Sequence, residues 1–230
     1  MIFRITSFHW LILATCTSLF CSSLNAQSPN GRYYPVDQSI PGKAGYWAAA
    51  IGKYNPRFFQ PIRFDLPSTG MVTVYQGEAK KSKTIKSSAQ AGLRVGPLYR
   101  LKISQMPEYP GLELYPTIEL LDRLHPPHGK AHEFPVPVQF TKAEIEEAQK
   151  GRLITKVIYL EHPRVAIPRR LKQPREPRTL PTSVNLLKEA DHQGRPMAIV
   201  RLGGRIPNLH GNEDVEFFGT PQSISLTYKK

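Results

Sequence analysis

Apolar and polar residues alternate with a period of two through the middle of this chain. That period predicts strands with one buried and one wet face. In residues 98–104, Tyr99, Leu101 and Ile103 alternate with Arg100 and Lys102. In residues 112–121, Leu112, Leu114, Ile118 and Leu120 oppose Glu113, Tyr115, Thr117 and Glu119. Pro116 interrupts that run and has no N–H for a ladder, which predicts an edge strand or a bulge at Tyr115–Pro116. Residues 136–140 carry Val136, Val138 and Phe140 on one side, and Pro135 and Pro137 again argue for an edge. Residues 153–161 are rich in β-branched and aromatic side chains and form the strongest predicted strand. Residues 61–66 and 71–75 also alternate around the turn Pro67-Ser-Thr-Gly70, which predicts a hairpin.

The period changes over residues 141–150. Thr141 and Glu144 have the spacing of a capping box, Lys150 closes the segment and Gly151 suits the left-handed residue after a helix. A helix of two to three turns needs packing to persist, and Ile145 and Ala148 are the residues to supply it. Residues 197–202 and 223–228 are two further strands. Residues 76–90 read as a solvated loop.

These elements predict an all-β fold, a sandwich of about seven strands with one short α-helix (141–150), Ig-like or transthyretin-like in outline. The expected organisation is a signal peptide (1–26), an extended Pro/Gly/Tyr-rich leader (27–58), a β-sandwich domain (59–163), a basic Pro-rich linker (164–185) and a C-terminal β segment (186–230) that completes the sandwich or pairs within itself. Within the leader, Tyr46 to Ile51 has room for one or two helical turns, and Trp47 reads as a plug at a core edge. The aromatic, Pro-rich stretch Tyr54-Asn-Pro-Arg-Phe-Phe-Gln-Pro61 reads as a partner surface if its rings are exposed.

The N-terminus shifts the picture towards export. Arg4 is a basic n-region, residues 8–20 are apolar, and Leu24-Asn-Ala26 is a small-residue cleavage site. The alternative is an uncleaved N-terminal anchor. Both cysteines, Cys16 and Cys21, fall in this segment, so cleavage leaves neither disulfide nor thiolate and an ordinary core must hold the fold. The expected location is secreted, periplasmic or at the cell envelope.

The segments Gly111-Leu-Glu-Leu-Tyr-Pro-Thr-Ile-Glu119, Pro137-Val-Gln-Phe-Thr141 and Thr155-Lys-Val-Ile-Tyr-Leu160 cover about a third of the chain with their surroundings. The unit they form resembles an uncharacterised family of secreted proteins of planctomycete-type bacteria. The resemblance implies export and a β-rich domain, and carries no activity.

Charge suggests the partners. Lys and Arg total 31 against 18 Asp and Glu, a net +13 in 230 residues. For an exported protein, that balance points to acidic polysaccharides, envelope surfaces or another exported protein rather than to a specific nucleic acid. The candidate polyanion contacts are Lys80, Lys81, Lys83 and Lys86 in the 76–90 loop, with Arg169, Arg170, Lys172, Arg175 and Arg178 in the linker. No transmembrane span is expected beyond the signal segment.

One constellation points to a metal. His125, His128, His132 and Glu133 fall within nine residues, and imidazole suits zinc or copper. The competing reading is a Pro/Gly loop with exposed histidines. The chain has no Gly-x-Ser-x-Gly elbow, His-Glu-x-x-His pair, phosphate loop or dinucleotide fingerprint. Glu113 and Glu119 share a predicted strand face but lie about 20 Å apart along it, too far for a glycosidase pair, and read as a solvated face. The function expected is therefore a non-enzymatic structural or binding protein without a cofactor. The alternatives are metal binding through the histidine loop, or an enzyme whose site is assembled from distant residues.

Overall fold

The computed structural model describes residues 36–52, 55, 57–162, 177–208, 217–219 and 222–227. The signal segment and most of the basic linker lie outside these residues. The described strands are β1 (Gln60–Asp65), β2 (Met71–Tyr75), β3 (Ser82–Lys86), β4 (Gln90–Leu93), β5 (Leu98–Ser104), β6 (Thr117–Leu120), β7 (Val136–Gln139), β8 (Ile154–Glu161), β9 (Gly194–Leu202) and β10 (Ser225–Thr227). The helices are α1 (Lys43–Gly52), α2 (Lys142–Gln149) and α3 (Leu186–Gln193). The fold is thus mostly β, as the alternation predicts, with ten described strands in place of seven and three α-helices in place of one.

The strands form two sheets, a four-stranded one in the order β10-β4-β1-β7 and a six-stranded one in the order β3-β2-β5-β6-β9-β8. Their apolar faces enclose the main core. Ile62, Phe64, Leu93 and Val138 come from the smaller sheet; Val72, Leu101, Ile103, Ile118 and Val200 come from the larger. Every paired strand is antiparallel to its neighbour except β7, which runs parallel to β1. β7 lies at the edge of its sheet, where the missing N–H of Pro137 leaves no gap inside a sheet.

The outer face of the larger sheet is covered as well. Ala44 and Ala48 of α1 and Leu187 of α3 pack with Val36, Leu121 and Ile199. Tyr75, Tyr115, Phe217 and Phe218 form a second outer cluster, with the Tyr75 and Phe218 rings 4.5 Å apart. α1 is short and alanine-rich, so its apolar face is only two small side chains wide.

Three expectations of pairing are corrected. β1 and β2 form no hairpin, because β1 pairs with β4 and β7 while β2 pairs with β3 and β5. Alternation identifies the buried face of a strand but not the neighbour on its edge; here the Pro67–Gly70 turn carries the chain from one sheet to the other. The 76–90 segment is not a loop throughout, since β3 pairs with all of β2 and Thr73 and Thr84 share a 2.9 Å hydrogen bond. β6 is neither an edge nor bulged. It lies between β5 and β9, and one register runs from Ile103–Leu114 to Leu98–Glu119. Pro116 still accepts from the Leu101 N–H at 2.8 Å, so its ring costs the ladder one bond.

α2 forms as its capping residues predict. Glu144 N–H donates to Thr141 Oγ1 at 3.2 Å, and Thr141 N–H donates to Glu144 Oε2 at 2.9 Å. Ile145 and Ala148 are buried, and Gly151 takes φ +81° after the C-cap. The Lys156 ammonium donates to both Glu144 oxygens at 3.0 and 2.9 Å and lies 5.0 Å from the centre of the Phe140 ring. Glu144 therefore caps α2 and fastens it to β8. Glu144→Ala loses the cap and takes the carboxylate from a mostly buried ammonium that keeps the Gln139 carbonyl, with an expected cost of about 2 kcal/mol. Glu144→Gln keeps the cap and costs about half of that. Urea unfolding of the two variants checks the ordering, and equal costs would contradict the double role.

Candidate functional site

The residues singled out in the sequence are scattered. His125, His128, His132 and Glu133 are all exposed in the β6–β7 connection. Glu133 faces Lys130 at 3.7 Å, and the His132 carbonyl accepts from Gln90. Among the described residues, no three of His, Cys, Asp and Glu are gathered so as to hold a metal ion. On β3, Lys83 and Lys86 are exposed, but they stand three positions apart, so they project to opposite faces. Lys80 is exposed in the preceding turn, and Lys81 pairs with Glu78 at 2.7 Å. Arg178 pairs with Glu189 at 2.8 Å. Arg169, Arg170, Lys172 and Arg175 lie outside the described residues.

Glu119 overturns the solvated-face reading. Its side chain has no exposed surface. Oε1 accepts from Arg201 Nη1 at 2.6 Å, and Oε2 accepts from the Gly45 N–H of α1 at 2.8 Å. Arg201 also donates twice to the Gln38 carbonyl, at 3.2 and 2.7 Å. The Gln38 side chain in turn bonds Val184 and Leu186, at the start of α3. A buried ion pair on the outer face of the sheet thus ties both covering helices to β6 and β9. Glu113, on the same strand face, is half-exposed and pairs with Lys102 at 2.8 Å.

The group of residues that could receive a ligand lies where chain segments pass from one sheet to the other. Arg94-Val-Gly-Pro97 links β4 to β5, Arg123 follows β6, and Phe58-Phe59 enters β1. With Ala49 of α1 and Asn55, residues from these segments line a cavity of about 250 Å³ whose described lining residues are Ala49, Asn55, Phe58, Arg94, Val95, Pro97 and Arg123. The segment is pinned at its backbone: Gly96 N–H donates to Leu120 O at 3.2 Å, and Arg94 N–H donates to the Tyr99 hydroxyl at 3.0 Å. Burial raises the Tyr99 phenol above its ordinary pKa.

The two guanidinium groups are braced by neighbouring rings. Arg94 Cζ lies 5.9 Å from the Phe59 ring centre, and Arg123 Cζ lies 5.0 Å from that of Phe58. Both Nε atoms are buried and have no hydrogen-bond partner. Among the described residues, no carboxylate pairs with either guanidinium, and none lines the cavity. The nearest acid in sequence, Asp122, is engaged by the Arg123 N–H at 2.7 Å and by Arg195 at 3.5 Å. Two cations thus line one cavity without a paired carboxylate among the described residues. Each sealed Nε carries the standing cost of an unsatisfied buried donor, about 1–3 kcal/mol, whether or not the cavity is filled.

Arg100 shows the contrast. It donates to the Phe217 and Tyr115 carbonyls, both at 3.1 Å, and its Cζ lies 4.5 Å from the Phe217 ring centre. Burial, with Arg205 adding repulsion, lowers its pKa to about 10. Its donors are used within the protein, so it serves the outer aromatic cluster rather than a ligand.

Arg94 and Arg123 did not stand out in the sequence, because one arginine among 31 basic residues is not distinctive. The available signal is positional: Arg94 stands shortly before the alternating run 98–104, Arg123 just after the run 112–121, and the Phe58-Phe59 pair before the run 61–66. No protein-family profile, curated protein or solved structure matches the chain. Among the described residues, no helix is long and apolar enough to cross a membrane.

Proposed function

We propose that this chain is an exported, non-enzymatic binding protein that holds an anionic group in the Arg94–Arg123 cavity. Acidic polymers of the envelope or its surroundings are the natural source of such groups. The observation that carries this reading is the pair of ring-braced guanidiniums that line one cavity with no carboxylate paired to either among the described residues. The described lining residues include no His, Asp, Glu, Lys, Ser or Cys, which supports binding over acid–base or nucleophilic chemistry. Export rests on the n-region, apolar segment and cleavage site of residues 1–26, together with the resemblance to secreted bacterial proteins. The exposed Lys80, Lys83 and Lys86 contribute long-range attraction to a polyanion, which salt screens. For the fold, the reading is a sandwich of Ig-like or transthyretin-like outline carrying an added outer helical layer, supported by the two facing sheets and the crossovers between them.

Titration of the purified chain with polygalacturonate tests the reading. The Arg94→Gln/Arg123→Gln double variant is expected to bind at least about tenfold more weakly at constant salt, as loss of charge-assisted hydrogen bonds requires. Lys83→Gln/Lys86→Gln is expected to change affinity by less than about threefold and mainly to flatten the salt dependence. A double arginine variant that binds like the wild type removes the cavity from the function.

A further inference from the structure

We infer that the cavity accepts a ring-sized organic monocarboxylate, such as one uronic-acid residue free or at a chain end. This rests on the anion-binding reading of the cavity and adds the class of ligand.

Size is the first constraint. Pockets for drug-sized ligands enclose about 300–1,000 Å³, whereas this cavity holds about 250 Å³. It takes one ring and its substituents, not a run of polymer. Hydrogen-bonding character is the second. Among the described lining residues the polar side chains are Arg94, Arg123 and Asn55. The Asn55 Oδ1 already accepts from the Arg57 N–H at 2.9 Å, and its amide NH₂ adds two donors. The wall therefore donates. The Nε atoms are sealed from solvent, so an anion is met by the Nη groups, whose planar fork matches a carboxylate.

The rest of the wall separates a carboxylate from a phosphate. Phosphate sites are commonly built on helix N-termini and runs of backbone N–H groups. Here the helix that lines the cavity, α1, contributes Ala49, in its C-terminal half. That end carries the negative partial charge of the helix dipole, which opposes a dianion more than a monoanion. Ala49, Phe58, Val95 and Pro97 make the remaining wall apolar. It suits a carbon ring and makes extra charged oxygens expensive to desolvate.

The experiment is calorimetric titration of the purified full chain with galacturonate, glucuronate and benzoate, alongside galactose and inorganic phosphate. At least one ring carboxylate is expected to bind with one-to-one stoichiometry, galactose not to bind, and phosphate to bind at least about tenfold more weakly. Arg94→Gln and Arg123→Gln are each expected to weaken carboxylate binding about tenfold while leaving the melting temperature of the free protein unchanged or raised, because an orphaned buried donor is removed. Arg94→Lys keeps the charge, loses the fork and falls between. Phosphate binding as tight as any carboxylate overturns the class and leaves the anion-binding reading standing. So does failure of every small carboxylate while polygalacturonate binding still depends on Arg94 and Arg123. Carboxylate binding unchanged in both single variants and the double variant places the site elsewhere and overturns both readings, as does a chain that binds none of these anions.

Discussion

Glu119→Leu is expected to cost the fold about 3–5 kcal/mol, the range for removing one partner of a buried ion pair. Two groups lose their acceptor together. Arg201, 7% exposed, keeps only the Gln38 carbonyl, and the Gly45 N–H of α1 is left without its carboxylate. The loss falls on the fastening of α1 and α3 more than on the main core, which lies on the opposite face of the larger sheet. Glu119→Leu/Arg201→Met removes both charges and is expected to be less damaging than the sum of the single changes, since neither partner is left buried alone. Urea unfolding of the two singles and the double closes the cycle. A single-variant cost below about 1 kcal/mol would mean that the pair is solvated in solution and does not pin the helices.

Gly96→Ala has the second largest expected effect, about 3–4 kcal/mol, from two separable sources. The φ of +109° is one that an L side chain rarely adopts, at a cost of about 1–3 kcal/mol. A Cβ there would also lie 2.8 Å from the Cβ of Ala49, so α1 must move or the strand end must bend, which adds about 1–3 kcal/mol. The reciprocal surface is as tight: a Cβ on Gly45 would lie 2.6 Å from the Gly96 carbonyl oxygen. Because Val95, Pro97 and Ala49 form one wall of the cavity, the same substitution is expected to weaken anion binding in the molecules that still fold. Adding Ala49→Gly should recover the steric part and leave the backbone part. Full recovery would show that the conformation is unstrained, and no recovery would show that α1 does not press on this segment.

Both effects come from residues whose sequence surroundings are ordinary. Glu119 looked like half of a wet face because Glu113, Tyr115, Thr117 and Glu119 alternate with leucines. The inference fails because a sheet with a covered outer face can bury its polar residues too, provided that each finds a partner. Thr117 is buried on that face as well, while Glu113, further along, remains half-exposed. The partner of Glu119 is 82 residues away, in a strand whose apolar character carried no hint of an ion pair. α1 was equally faint, with two buried alanines and an internal glycine where a longer helix would show a wide apolar stripe. α3 carried a readable signal in Asn185, whose side chain accepts from Leu187 and Lys188 at the first turn.

Local chemistry was legible wherever short-range forces decide the outcome. The capping box of Thr141 and Glu144, the burial of Ile145 and Ala148, the inward faces of β5 and β7 and the mostly β character all follow from spacing alone. Tertiary structure decided what depends on distant neighbours. It set β1 and β2 in different sheets, placed β6 in the interior despite Pro116, and made the lysine segment an edge strand. It also brought Arg94 and Arg123 to one cavity from strand ends 29 residues apart in sequence. The physical reason is that alternation encodes which side of a strand avoids water, whereas strand pairing, buried charge pairs and cavities depend on which surfaces remain to be matched once those sides are buried.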